Sequence, residues 1–375
     1  MSETSDVLII GAGAIGSAAA YYLAKRKISV TVLEKSEYIG NGGSSRNGGG
    51  VRQSGRHSAE LPLAMYGVKN LWPNLSQELG LEVEYCQGGN LRLGKTEAHL
   101  KILQGLTANC VAGGLDMRMI DYREAKEICP YLSEEVIGAS WCPTDGHANP
   151  LLTTLAFYRA ARKLGARYVS GAEVDKLVKN KGRVTKAITA DGTEYEFGQA
   201  IVVAGYDSGK ILATVGLEVP MMPLLMEILV TEDAPRMFTQ MLGTAMADFY
   251  GHQSTHGSFV FGGTHGFEPY AEYGETKLTS VGASSTCRGI IGYFPVLSDL
   301  KIVRTWSGWI DDCADHIPVM GNPKETPGLT IGCAFSGHGF GISPVAGLLL
   351  AQLATGQETA LDVSRFSYDR FRAKV

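Results

Sequence analysis

The sequence lacks most features that would set it apart from ordinary globular enzymes. It has no Cys-x-x-Cys pair: seven cysteines stand far apart, at 86, 110, 129, 142, 287, 313 and 333. That spacing excludes a zinc knuckle, and the odd total argues against a disulfide framework, so reduced thiols are expected. Runs of lysine and arginine are missing, and 34 basic against 38 acidic residues leave a formal charge of -4. Nucleic acid is therefore not an expected partner. No stretch approaches the roughly 18 apolar residues of a membrane helix, so no transmembrane segment is expected. The opening MSETSDVLII carries acids where a signal peptide has a basic region, which points to a cytoplasmic chain. Internal repeats and low-complexity tracts are also absent.

What remains is the composition of a folded enzyme, 45% hydrophobic and 19% charged. At 375 residues the chain exceeds one comfortable core, so two domains are expected. Three strand-turn-helix units are spaced along it: DVLII leading into GAGAIGSAAAYYLAKR, then QAIVVAGYDSGKIL (199 to 212), then LTIGCAFSGHGFGISPVAGLLLAQLATG (329 to 356). Between them VEYCQGGNLRLG (83 to 94), LLMEILVTE (224 to 232) and GSFVFGGT (257 to 264) alternate as strands of an antiparallel sheet do. A second domain is thus interleaved with the first.

The first unit carries Gly11, Gly13 and Gly16 in a G-x-G-x-x-G turn, with Glu34 closing the following strand. Gly11 permits the tight turn, Gly13 lets backbone approach a pyrophosphate, and Gly16 lets the helix pack on the sheet. The positive helix end faces the phosphates, and a carboxylate at Glu34 can accept from both ribose hydroxyls. An adenine dinucleotide is expected, and these residues fit NAD and FAD alike. Downstream, GGSSRNGGGVRQ (42 to 53) sets Arg46 and Arg52 among five glycines. It reads either as a mobile loop or as two guanidiniums awaiting anionic groups beside an extended cofactor.

VLIIGAGAIGSAAAYYLA, SSRNGGGVRQ, DGHANP, VVAGYDSG and GCAFSGHGFGISPVAG together resemble the FAD-dependent amine oxidoreductases related to D-amino-acid oxidase. The likeness is to the sarcosine oxidase and glycine oxidase branch, and within it to the β subunits of heteromeric sarcosine oxidases and the catalytic subunits of proline, hydroxyproline and opine dehydrogenases. Those subunits also place tryptophan twenty residues after the second arginine, here Trp72. The resemblance covers essentially the whole chain. It implies an α/β plus α+β fold: a Rossmann-like FAD-binding domain of 1–82, 143–219 and 326–375, interleaved with an antiparallel-sheet substrate domain of 83–142 and 220–325.

The resemblance assigns Arg46 to the neighbourhood of the flavin ring and Arg52 to the substrate carboxylate, which a bidentate guanidinium suits. It extends cofactor contact to Ala14 and Ile15, to Lys35 beside Glu34, to Ser44, Ser45, Asn47, Gly48 and Gly49 around Arg46, and to Val174, Ala204 and Gly205 near the adenosine half. Ser336, Gly337, His338, Gly339, Phe340, Gly341 and Ile342 precede a helix expected to take Ser343 as cap and Pro344 as first residue. Amides there would stabilise the reduced flavin edge, with His338 packing on the flavin rather than shuttling protons. Tyr250 lies on the segment that supplies an active-site tyrosine in relatives, and Met226 and Glu227 lie where relatives line the pocket.

The sequence also departs from the pattern. Gly308 occupies the place of the flavin-attaching cysteine of monomeric sarcosine oxidases, so noncovalent FAD is expected. Ile310 replaces an arginine of glycine oxidases, and Gly341 replaces a lysine. His252 and His256 are four apart without the zincin glutamate, so no metal is expected. The DSG at 207 to 209 lacks a credible histidine partner and is discounted as a nucleophile.

The activity implied is oxidation of the CH-NH bond of a small secondary or D-amino acid to an imine, by hydride transfer to the flavin. Oxygen, a quinone or a protein would accept the electrons, and a partner subunit is implied by the heteromeric relatives. Rival readings are a flavin hydroxy-acid dehydrogenase, an NAD enzyme and a flavin-holding electron-relay subunit.

Overall fold

A computed structural model describes residues 3–263 and 280–372. The run DVLII lies in the strand Glu3–Ile10, at the middle of a sheet ordered Val319–Gly321, Leu329–Cys333, Glu194–Val202, Glu3–Ile10, Val30–Glu34, Arg167–Ser170. Its pairings with Val30–Glu34 and Glu194–Val202 are parallel. A strand buried on both faces needs a continuous apolar run rather than alternation, which is how Val7 to Ile10 read.

The helix Ala14–Lys25 covers one face together with Pro150–Lys163 and Ser343–Ala354. Its small residues Ser17 to Ala20 are fully buried, and a Cβ added at Gly347 would collide with Ala18. Close approach of these two helices therefore depends on small side chains. The opposite face is closed by the hairpin Val174–Asn180 and Arg183–Thr189, whose Val174, Leu177, Val184 and Ala187 meet Leu8, Ile10 and Val202.

The second sheet runs Ile302–Cys313, Met221–Asp233, Ser258–Gly263, Phe249–Gln253, Met241–Thr244, Asn90–Gly94, Gly138–Cys142, Arg118–Asp121. All its pairings are antiparallel except that of Met241–Thr244 with Asn90–Gly94. Of the strand expected over 83–94, only Asn90–Gly94 forms, with an isolated bridge at Cys86. Thr264, the last residue of GSFVFGGT, lies outside the described residues. One face packs Phe249, Phe261 and Leu229 against Ile290 and Tyr293 of the helix Ser280–Tyr293. The other face looks toward residues 42–56, which a two-stranded pairing of Gly50–Val51 with Gly146–His147 fastens to DGHANP.

Candidate functional site

A cavity of about 540 Å³ runs along the carboxyl ends of the parallel strands and on to the second sheet. At one end Gly11 turns the chain off its strand with φ +111, and a Cβ there would sit 2.5 Å from the Val203 carbonyl oxygen. Gly16 lies behind the wall, where any Cβ would strike the Gly11 carbonyl. Glu34 faces the cavity. Its carboxylate accepts the Ala12 amide at 2.9 Å and the Ser36 amide at 3.0 Å, bonds that fix it at the strand edge. Ser44 Oγ accepts the Ala14 amide at 2.9 Å, so loop 42–49 is laid across the start of the first helix. Lys35 donates to Asp207 at 2.6 Å, closing the rim near Ala204 and Gly205.

Seventeen of the anticipated cofactor-binding and catalytic residues reach this cavity: Gly11, Gly13, Ala14, Ile15, Glu34, Lys35, Ser44, Arg46, Asn47, Val174, Ala204, Gly205, Tyr250, Gly308, Gly337, Gly339 and Phe340. Arg46 packs over Gly308, where a Cβ would lie 2.6 Å from the Arg46 Cβ. Asp311 is on the wall too, its Oδ2 buried and without a hydrogen bond among the described residues, and burial raises its carboxyl to about 6 against the pull of backbone amides at 311, 334 and 335. Sequence reasoning missed Asp311, because alternation in WSGWIDDC gives no sign of which acid turns inward.

Several anticipated residues lie off the cavity walls, each with a physical reason. Ser45 and Gly48 border a second cavity of about 160 Å³ on the far side of the loop, where His147 stacks on His252 at 3.9 Å between centroids. Gly49, at φ +72, abuts the Ala148 carbonyl. Gly341 is held by the Trp72 indole, which donates to its carbonyl at 2.8 Å, and Ile342 is fully buried in the core. Ser343 is not a cap: the helix begins at Ser343 with Ile342 before it, and the Ser343 hydroxyl has no hydrogen bond among the described residues. Glu227 points away from the cavity toward Gly282, unlike Met226, which lines it. His256 bonds Glu84 at 2.9 Å, and Ser208 Oγ accepts the Ala204 amide at 2.9 Å; both are occupied structurally.

His338 is not among the residues lining the cavity, and Glu60 holds its ring. Its Nδ1 donates to Glu60 at 2.9 Å, and Arg56 donates to the other Glu60 oxygen at 2.8 Å. Arg56 also donates to the carbonyls of Arg52 at 2.9 Å and His338 at 3.3 Å, so one buried pair joins the two loops. Burial works to raise the Glu60 carboxyl, yet Arg56 and His338 overcome it and hold it at about 2. Burial and the Arg56 charge lower His338 despite Glu60, so its Nε2 carries a lone pair near neutrality. The i,i+4 spacing of Arg56 and Glu60 was the available sequence signal.

Arg52 does not line the cavity; it lies near enough to Tyr250, which does, for their charges to interact. Burial first, then the charges of Arg92 and Arg56, bring its guanidinium down to about 9. It makes no side-chain hydrogen bond or ion pair among the described residues. Asp145, fully buried, is the nearest compensation. Its oxygens are saturated by the Gln53 amide at 2.6 Å, the Ser54 amide and hydroxyl, and Asn90. Burial raises the Tyr250 hydroxyl above its ordinary value, so near neutrality it is a hydrogen-bonding group and not a base.

Residues 6–353 match the family model described as FAD dependent oxidoreductase. The chain belongs to that family. Sarcosine oxidase subunit beta of Arthrobacter sp is 28% identical, over 98% of this chain and 91% of that protein. Glycine oxidase of Geobacillus kaustophilus is 26% identical, over 100% of this chain and 99% of its own length. The crystal structure of L-proline dehydrogenase from P. horikoshii superposes with TM-score 0.90 at 30% identity, covering 99% of this chain and 98% of that one. The protein is therefore an oxidoreductase with FAD as cofactor, and the cavity fits that group. It is long, glycine-walled at Gly11, Gly13, Gly308 and Gly337, and holds a buried carboxyl oxygen, Asp311 Oδ2, without a hydrogen bond among the described residues. No helix among the described residues is long and apolar enough to cross a membrane.

Proposed function

We propose that the chain oxidises the CH-NH bond of a small secondary or D-configured amino acid to an imine. The observation that carries this reading is Arg52: a half-buried guanidinium near Tyr250, without hydrogen-bonding partners among the described residues. Such a group is suited to a carboxylate, which it would orient as well as bind. FAD, when bound, supplies a hydride acceptor. The protein's part is to hold the substrate carboxylate at Arg52, to offer the Tyr250 hydroxyl, and to exclude water. With Tyr250 protonated and His338 tied to Glu60, the amine is made neutral by desolvation rather than by a side-chain base.

The cofactor reading extends to the residues on the cavity walls. Glu34 would accept from the ribose hydroxyls, and Asp311 would accept from a hydroxyl of the bound cofactor. FAD would be noncovalent: among the described residues no cysteine or histidine is in those walls, and Cys313 is fully buried in the core. Residues 1–82, 143–219 and 326–375 would carry the cofactor, and 83–142 and 220–325 the substrate. A partner subunit would receive electrons or shield the site, as the name of the sarcosine oxidase relative invites. Seven free cysteines suit a reducing compartment such as the cytoplasm.

The test is anaerobic reduction of the FAD-loaded protein by panels of secondary amino acids, D-amino acids and 2-hydroxy acids. Bleaching by amino acids alone is expected. Bleaching by hydroxy acids alone would replace this reading.

A further inference from the structure

A second guanidinium stands in the same place without an assigned role. Arg92 lies on Asn90–Gly94, directly across from Gly243, which in turn faces Tyr250 on the next strand. Directly paired residues share a face of a sheet, so Arg92, Gly243 and Tyr250 form one row turned toward loop 48–55. The glycine leaves a trough between the two side chains, whose strands are roughly 10 Å apart. Among the described residues the nearest atom to the position a Gly243 Cβ would take is the Arg92 stem at 3.7 Å.

Loop geometry makes room for the head of Arg92. A Cβ at Gly55 would lie 2.8 Å from Arg92 Nη2, and φ +75 at that residue keeps the backbone clear. Like Arg52, Arg92 has no side-chain hydrogen bond or ion pair among the described residues, although it is mostly removed from solvent. Its pKa is lowered, chiefly by burial and against the pull of Asp145. The count of charges is uneven. Among the described residues the acids acting on Arg52, Arg56 and Arg92 are Glu60 and Asp145, and Glu60 is committed to Arg56 and His338. Tyr250 and His338 add no charge near neutrality, so the pocket keeps one positive charge. A carboxylate at Arg52, on a substrate whose amine is neutral, offsets that one charge but leaves the Arg92 hydrogen-bond donors unmet, and a second carboxylate would meet them.

We propose that Arg92 receives a second anionic group of the substrate, so that the amino acid oxidised here is dicarboxylic, with its extra carboxylate on the nitrogen substituent or on the side chain. This rests on the reading in which Arg52 takes the carboxylate next to the oxidised carbon. Trough and glycine then set the reach between the two anions, and Tyr250 stands over the span.

The experiment uses the FAD-loaded protein and matched substrates whose second group is a carboxylate or the isosteric carboxamide, in one series on nitrogen and in one on the side chain. Wild type is expected to show a KM at least tenfold lower for the carboxylate member of one series, which identifies where the second anion is carried. Arg92→Gln should abolish that preference by raising KM for the carboxylate member to that of the carboxamide, and Arg92→Lys should restore part of it. Binding of succinate against butyrate, followed by flavin absorbance, gives the same comparison without turnover. Absence of a carboxylate preference in wild type, or its survival in Arg92→Gln, overturns the inference and leaves the role of Arg52 standing. If no amino acid of either kind reduces the flavin, both fall together.

Discussion

Replacing Glu60 by Gln tests whether one buried ion pair ties the arginine loop to the His338 loop. The substitution keeps the volume and removes the charge that Arg56 and His338 share. Arg56 is 3% exposed and Glu60 0% in their side chains, so the guanidinium would be left buried without a counter-ion. Breaking a buried pair from one side costs about 3–5 kcal/mol. An independent route gives a similar figure: a carboxyl held at about 2 against an ordinary 4.5 contributes roughly 3 kcal/mol at neutral pH. Its sign is fixed. A depressed carboxyl binds fewer protons folded than unfolded, so this stability is complete above the unfolded pKa and is lost as pH falls toward 2. Urea unfolding followed by tryptophan fluorescence, at fixed FAD concentration, should place Glu60→Gln about 3 kcal/mol below wild type at neutral pH, with the gap narrowing on acidification below about pH 4.5. A gap under about 1 kcal/mol, or one indifferent to pH, would refute the network as described.

Two further outcomes concern charge and pH. Because Arg52 sits near 9, KM for a carboxylate substrate should rise as pH climbs through that value, while KM for a matched amine without the carboxylate should not; steady-state pH profiles of the pair decide it. Asp311 is opposite in sign to Glu60: its carboxyl is raised to about 6, so the cofactor-free protein should lose up to about 3 kcal/mol as pH rises from about 4 through 6. Asp311→Asn should lack that slope when urea midpoints are compared across the range.

Much of this architecture was legible in the residues because it is local. The glycines at 11, 13 and 16, the run of small residues behind them and the acid at 34 each act within one strand-turn-helix unit, where spacing determines position. The same holds for the 329–356 unit, except at its cap: Ser343 is drawn into the core, and the helix starts without a side-chain acceptor. Elements assembled from distant residues were not legible. Asp145 looks like a turn residue in TDGHANP, yet it anchors Gln53 and Ser54 from 92 and 91 positions away. Alternation in GNLRLG places Arg92 opposite the leucines, but only the sheet order shows that this face meets loop 48–55. His338 reads as a lone histidine until the fold delivers Glu60 to it. Glu227 and Met226 are neighbours in sequence, and strand alternation sends just one of them into the cavity.

The claim on which the functional account turns is that Arg52 grips the carboxylate of the substrate. Anaerobic flavin reduction by an amino acid and by the same amine lacking its carboxylate, in wild type and in Arg52→Met, measures it directly. The account predicts that the substitution weakens apparent binding of the amino acid by at least about 100-fold, as loss of a buried charge-assisted pair does, and leaves the decarboxylated amine nearly unaffected. Equal losses for the two compounds would contradict it.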